Sequence, residues 1–284
     1  MLVVALALSA CGGAPGTPGT TGRSSLIASG GNHTCWVRAD GSVACWGSNS
    51  SGESTPPAGV FTQISAGPLH SCARKPDGSV VCWGRNASGE STPPAVAFAA
   101  IWGGDMESCG IRFDESAECW GAFTQAGPGQ FVQLSIGYAM ACGILLGGKM
   151  ECWPEYYPLM LTPGDSGTFS QVVVTGSPTE LDIYGRHNDG TLEASGTTTE
   201  AHGPPPAGTF TQLAAGPSHA CAIHTDGSVA CWGDNRMGQA TPPTAGSFAQ
   251  LSAGAAHTCG VLTDGTVTCW GDNSMGQLMA PSGI

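Results

Sequence analysis

The stretch "HTCWVRADGSVACWG" runs from residue 33 to 47, and a near copy, "HSCARKPDGSVVCWG", runs from 70 to 84. In both, two cysteines with nine residues between them flank a D-G dipeptide. Cysteines so repeated point to a metal site, a redox motif or a covalent scaffold. Placing Ala39-Asp40-Gly41 in a three-residue hairpin loop that ends in a left-handed glycine pairs Arg38 with Ser42. Stepping outward, Cys35 then faces Cys45 at a non-hydrogen-bonded position, where Cα atoms approach most closely, and that separation suits a disulfide. Structural zinc sites use cysteines about two to four residues apart, and redox pairs use C-x-x-C. Neither spacing occurs here.

The echoes of this hairpin fix the organisation of the chain. Setting Cys11 aside, the cysteines form Cys35/Cys45, Cys72/Cys82, Cys109/Cys119, Cys142/Cys152, Cys221/Cys231 and Cys259/Cys269, every pair ten residues apart. A phenylalanine stands eleven residues before the first cysteine at Phe61, Phe98, Phe131, Phe210 and Phe248. A further opening, "FSQVVVTG" from Phe169, starts a unit without cysteines, where Ala194 and Ser195 occupy the Cys-Trp positions. Counting back from Cys35 puts the first opening at Ser24, so seven units begin at residues 24, 61, 98, 131, 169, 210 and 248. Such a period settles the architecture before any local reading. "FTQISAG" alternates as a half-buried strand does; "HTCWV" and "SVACWG" follow as the hairpin, and "NSSGESTPP" closes the unit with prolines that cannot sit inside a sheet. Seven short-stranded units without helical segments predict an all-β, seven-bladed propeller over 24–284, with a cross-hairpin disulfide in six blades.

Composition agrees. With 44 glycines, 20 prolines and only 11% charged residues, the chain is built of turns and short strands. Its net charge of −12 repels a phosphate backbone, so nucleic acid is not expected as a partner. Residues 1–10, "MLVVALALSA", are apolar and end in small residues, as an export signal does. "LSAC" resembles the lipobox of bacterial lipoproteins, which makes Cys11 the expected lipidation site. No Lys or Arg precedes the apolar run, so the true start is expected upstream of Met1. Residues 11–23 then read as the lipidated cysteine and a flexible Gly/Pro/Thr tether. The expectation is an exported protein at the bacterial outer membrane or cell surface, otherwise periplasmic or secreted. It touches the membrane through the lipid alone, because the apolar run is too short to span.

The pattern G-x-x-H-[ST]-C…D-G-x-V-x-C-W-G-x-N-x-x-G-[QE] appears in "GNHTC", "GPSHAC", "CWGDNRMGQ" (231–239) and "CWGDNSMGQ" (269–277). It resembles the repeat of the regulator of chromosome condensation family, in the short bacterial form found in a secreted β-lactamase inhibitor protein. The resemblance is strong for units 1, 2, 6 and 7 and weaker for 3, 4 and 5, and it implies a seven-bladed propeller. The family's nucleotide-exchange activity is not expected outside the cytoplasm.

Features that recur in every unit build the ring; deviations are where function is sought. His33, His70, His219 and His257 stand two residues before a first cysteine, where Glu107 and Met140 replace them in units 3 and 4. Blade rotation spreads these histidines too far for one ion, so they are expected to cap backbone groups within their own blades. The repeated tryptophans are expected to pack between blades. Deviations gather in units 3 to 5: Trp102 replaces a small residue, and unit 4 ends in "CWPEYYPLMLTPG" (152–164). Trp102, Trp153, Tyr156, Tyr157 and Met160 are therefore the candidate partner-binding residues, with Asp105, Glu107, Glu115, Glu118, Glu151 and Glu155 supplying negative potential; local repacking of a decayed blade is the competing reading. No G-x-S-x-G, H-E-x-x-H or phosphate loop occurs, so neither enzymatic activity, cofactor nor metal is expected. The expected function is a monomeric macromolecule-binding scaffold for an envelope or extracellular protein. The alternative is a propeller enzyme of lyase or hydrolase type, or a carbohydrate-binding module, using the channel mouth.

Overall fold

The D-G turn closes as its side chain dictates. Asp40 accepts the Ser42 amide (2.8 Å) and hydroxyl (2.6 Å), while Gly41, at φ +80°, donates its amide to the Arg38 carbonyl (2.9 Å). Arg38 bonds Ser42 (2.8 Å), the strands His33–Val37 and Val43–Gly47 extend from there, and Cys35 pairs with Cys45. Asp77, Asp114, Asp189, Asp226 and Asp264 repeat this device. In the third turn Glu115 stands where the others carry glycine, at φ 70°, the one non-glycine among the described residues in the left-handed region.

The computed structural model describes residues 26–138, 140–153, 167–177, 180–196 and 203–281. Those residues form seven antiparallel three-stranded sheets, each contiguous in sequence. The first strands of the sheets are Ile27–Ser29, Gln63–Ala66, Phe98–Gly103, Phe131–Ile136, Phe169–Ser177, Phe210–Ala215 and Phe248–Ala253. Each lies against the first strand of the next sheet, and the seventh lies against the first. The result is a closed seven-bladed propeller whose first strands line a central channel of about 370 Å³. Blades 1 and 7 meet by simple apposition: Leu26 N donates to Gln250 Oε1 (3.0 Å), Ser29 N to Ser252 Oγ (2.8 Å), and Trp46 Nε1 to the Gln277 carbonyl (2.8 Å).

No single core fills the ring. Seven apolar clusters form instead, one at each junction between neighbouring blades. The opening phenylalanines are their wedges; Phe98, Phe131 and Phe210 are fully buried, and Phe131 meets Trp153 at 5.3 Å between centroids. The staples lie where the spacing put them. Cys35–Cys45, Cys72–Cys82, Cys109–Cys119, Cys142–Cys152, Cys221–Cys231 and Cys259–Cys269 join the second and third strands of blades 1, 2, 3, 4, 6 and 7, with Cα–Cα distances of 4.0–4.1 Å.

The two halves of a staple differ in one respect that the repeat does not reveal. The first cysteines are wholly buried, and Cys119 is buried with 7% exposure. Cys45, Cys82, Cys152, Cys231 and Cys269 are only half-buried, because they stand on the third and outermost strand of each blade. They still pack against the apolar clusters of their junctions. In blade 5, Tyr184 opposes Ala194 at the equivalent place and packs edge-on against Trp232 of blade 6.

Candidate functional site

Three kinds of repeated bond sew neighbouring blades together, each at several junctions, and the junction where none of the three is made among the described residues defines the site. The first is made by the glutamine of the opening motif. Gln133 donates to the Val172 carbonyl (2.9 Å) and accepts the Val172 amide (2.8 Å). Gln63 does the same with Ile101, Gln171 with Leu213 and Gln212 with Leu251. Blade 3 carries Ala100 at this position and makes no such bond to blade 4.

The second bond is the histidine's. His33 Nε2 meets Ser71 Oγ (2.8 Å), His70 meets Ser108 (2.8 Å), His219 meets Thr258 (2.7 Å) and His257 meets Thr34 (2.8 Å). The histidines are therefore structural, but the expectation that they act within their own blades is corrected: each reaches the hydroxyl just before the first cysteine of the next blade. Burial drives the pKa of His33, His70 and His257 down to about 4, so they stay neutral at pH 7.

The third bond uses the end of the closing loop. The carbonyls of Glu53, Glu90, Gln239 and Gln277 accept the indole N–H of Trp83, Trp120, Trp270 and Trp46 (2.8–3.0 Å), each tryptophan belonging to the following blade. The side chains of these four plugs are buried as well. Burial works against the Glu53 charge, yet its own amide, the Ser48 hydroxyl and the Ser51 amide outweigh it and hold the carboxyl below its usual range.

Among the described residues, none of the three bonds is made between blades 3 and 4. The closing loop of unit 3 is short: twelve residues separate Cys119 from Phe131, against sixteen from Cys45 to Phe61. The plugs stand eight residues after the second cysteine, where unit 3 has Gly127; Glu107 replaces the histidine, and Ala141 replaces the receiving hydroxyl. What remains is a cavity of about 180 Å³ beneath Phe123, walled by Ile136, Met140, Ala141 and Trp153, with Glu107 at its edge. Glu107 is 3% exposed and its Oε2 has no hydrogen-bond donor among the described residues. Burial first, then the nearby Asp105 charge, push its pKa up to about 8, with the Met106 amide and Arg85 pulling the other way.

The candidate residues separate. Trp102 lines the channel and packs on the apolar cluster between blades 3 and 4. Trp153 is buried in that same cluster, with 7% exposure. Tyr156, Tyr157 and Met160 lie outside the described residues, as do Cys11, the tether and Glu155. Of the cysteines, Cys109 and Cys119 border the cavity; Cys82, Cys152, Cys231 and Cys269 line neither cavity nor channel, and their role is confined to the staples. Of the described residues lining the channel, Asp105 alone is charged. No group of three His, Cys, Asp or Glu side chains among the described residues is placed to hold a metal ion. Sequence reasoning passed over Ala141 and the short loop. Their signal was present: hydroxyls at Thr34, Ser71, Ser108 and Thr258 follow the histidine of their own units, or the glutamate in unit 3, and alanine breaks that series at Ala141 and Ala220.

The model of the Regulator of chromosome condensation (RCC1) repeat matches residues 25–53, 61–90, 210–239 and 248–277, which are units 1, 2, 6 and 7. No curated protein matches the sequence. Among solved structures, the ectodomain of the receptor kinase CR4 from Physcomitrella patens is 24% identical over 87% of this chain and 73% of that one, with a TM-score of 0.74. The ectodomain of the Arabidopsis thaliana receptor kinase ACR4 is 25% identical over 88% and 96%, with a TM-score of 0.74. Prp20p from Saccharomyces cerevisiae is 13% identical over 88% and 83%, with a TM-score of 0.69. Four of its seven blades thus match the regulator of chromosome condensation repeat, and its ring closes in the fold of Prp20p.

Proposed function

We propose that this protein is an exported, lipid-anchored scaffold that binds another protein of the cell envelope. The observation that carries the reading is the asymmetry of the ring: blades 1, 2, 6 and 7 repeat one another, while at the junction of blades 3 and 4 none of the repeated bonds is made among the described residues. Relatives of the fold are protein binders by their descriptions. Prp20p is characterised by its binding to Gsp1p and histones, and yeast RCC1 (Prp20) is solved with Kap60 bound to it. Six disulfides fit an oxidising compartment, and both plant relatives are receptor ectodomains. A channel whose described lining carries one acid and no paired titratable groups favours binding over the enzyme reading. The recognition surface is assigned to unit 4 and its tail, with Trp102, Trp153, Tyr156, Tyr157 and Met160 as the candidate partner-binding residues. Domain bounds of 1–10 for the signal, 11–23 for the lipidated tether and 24–284 for the propeller complete the proposal.

Two measurements test it. Envelope proteins recovered by the tagged wild type should be lost from the Tyr156→Ala/Tyr157→Ala double variant; equal recovery removes the unit 4 surface. Metabolic palmitate should label the wild type and not Cys11→Ser; label that survives the substitution sinks the anchor.

A further inference from the structure

We propose that the cavity between blades 3 and 4 is a binding site for a primary ammonium group on a short alkyl stem, with Glu107 as its counter-ion. The proposal stands independently of the macromolecular partner, because it assigns a ligand chemistry to one defined hole in the ring.

At four junctions of this ring the side chain two residues before the first cysteine makes a bond to the next blade, through one ring nitrogen, while the other nitrogen of His33, His70 and His257 has no hydrogen-bond partner among the described residues. A histidine meets a hydroxyl at four junctions. At the junction of blades 4 and 5 the same two places hold Met140 and Ile183, both apolar and both in one buried cluster. Between blades 3 and 4 the pair is Glu107 and Ala141: the polar side is kept and its receiver is deleted. A buried polar atom without a partner is costly, and an uncompensated buried carboxyl more so. In a packed interior such a group calls for a specific explanation, an unseen ligand among them.

The surroundings select the ligand. The walls facing Glu107 from blade 4 are Ile136, Met140, Ala141 and Trp153, none of which carries charge, and the covering residues Ala122, Phe123, Thr124 and Gln125 are neutral too. The charged neighbours on its own side are Asp105, Arg85 and Glu90. Arg85 is already engaged, with Nε on Glu90 (2.7 Å) and Nη2 on the Asp105 carbonyl (2.6 Å). Among the described residues, no cation is therefore free to serve Glu107. An anion would meet an unpaired carboxyl, and a neutral hydrocarbon would leave it unsatisfied. An ammonium donates charge-assisted hydrogen bonds to Oε2, its stem lies along the apolar walls, and an aromatic wall such as Trp153 suits a cation. At about 180 Å³ the cavity takes a side-chain-sized group but not a drug-sized ligand, which needs about 300 Å³ or more. Lysine side chains and small alkylamines share this chemistry.

Binding also moves a proton. Glu107 holds its proton near neutrality because it is buried beside Asp105, whereas the ammonium needs it ionised. At pH 7 the carboxyl O–H bond breaks, its electron pair stays on the carboxylate and the proton leaves to buffer, while the amine keeps all of its own. Affinity should therefore rise between pH 7 and pH 9 and fall again as the amine itself loses its proton near its ordinary value of about 10.

The experiment titrates the full chain with n-butylammonium chloride and, separately, with Nα-acetyl-lysine N-methylamide, following the Trp153 indole resonance; n-butanol is the neutral control. The expected result is saturation with a Kd of about 1–10 mM for the ammonium compounds and none for butanol. Glu107→Gln, which keeps the shape and removes the charge, should weaken binding by about tenfold or more. Ala141→Ser, which restores the hydroxyl found at Ser71 and Ser108, should weaken it likewise while raising the melting temperature, so a loss of binding cannot be ascribed to misfolding. Saturation by the lysine derivative as well as by butylammonium supports a partner's lysine as the occupant; saturation by butylammonium alone supports a small amine. Absence of saturation with both, or equal affinity in wild type and Glu107→Gln, overturns the site.

Discussion

Reduced by dithiothreitol, the protein is expected to lose its ring under conditions where the oxidised form keeps it. Each staple closes a loop of about ten residues, which in the chain-entropy model contributes about 2–3 kcal/mol. The staples sit in six different blades and constrain separate segments, so their effects add to first order. The sum exceeds about 10 kcal/mol, as large as the whole stability of an ordinary domain. Nothing else in the sequence replaces it: aromatic residues make up 7% of the chain, and its core is divided among seven small clusters. Urea titration with and without reductant measures the difference, and a midpoint shift worth less than about 2 kcal/mol would refute the staple role. The first cysteines of the six pairs are essentially inaccessible, with 0–1% exposure, so attack on their sulfurs must wait for the blades to open. In the native ring a reductant reaches the half-buried partners first, Cys45, Cys82, Cys152, Cys231 and Cys269.

The second large effect is a stability maximum near pH 6–7 with a loss on each side. The folded pKa of His33, His70 and His257, about 4, lies below the unfolded value of 6.5. Their contribution is full above pH 6.5 and is lost as pH falls toward 4, because the unfolded chain takes up protons that the native one refuses. Each histidine accounts for about 3 kcal/mol at the acid end of that window. Glu107 works the other way. Its folded pKa of about 8 lies above its unfolded 4.5, so its contribution is full below pH 4.5 and is lost as pH rises through 8. Between pH 8 and 6.5 Glu107 alone sets the slope, and below 6.5 the histidines prevail by number. Chemical denaturation from pH 4 to 9 should show this dome, and Glu107→Gln should flatten its alkaline limb and steepen its acid limb. A flat profile from pH 7 to 5 would show that the histidines take up protons in the native ring. The turn aspartates, held low by the Ser and Thr hydroxyls beside them, join the loss only at lower pH.

Much of this architecture is legible in the spacing of residues. The ten-residue separation of Cys35 and Cys45, with D-G between, fixes hairpin, register and staple at once, because only one loop geometry brings both cysteines to a close pair. The closure of the ring follows from the likeness of units 1, 2, 6 and 7, since blade 7 presents to blade 1 what blades 1, 2 and 6 present to the next. Bonds between blades were harder to read. A repeat shows what each unit contains but not whether a recurring polar residue serves its own unit or its neighbour; His33 reaches 38 residues along the chain to Ser71. The same blindness hid the cavity. Glu107, Ala141 and the short loop stand in two units, and their meaning lies in their juxtaposition across a junction.

The contiguity of each blade has a consequence for how the protein reaches its oxidised state. Twelve cysteines can pair in about ten thousand ways, yet here every cysteine's native partner is also its nearest successor or predecessor in the propeller. A chain emerging through a membrane amino-end first would present its cysteines in matched couples, one hairpin at a time. An indiscriminate oxidant acting during translocation would then give the correct pattern without later reshuffling, and the only long-range event left would be the meeting of the first blade with the last.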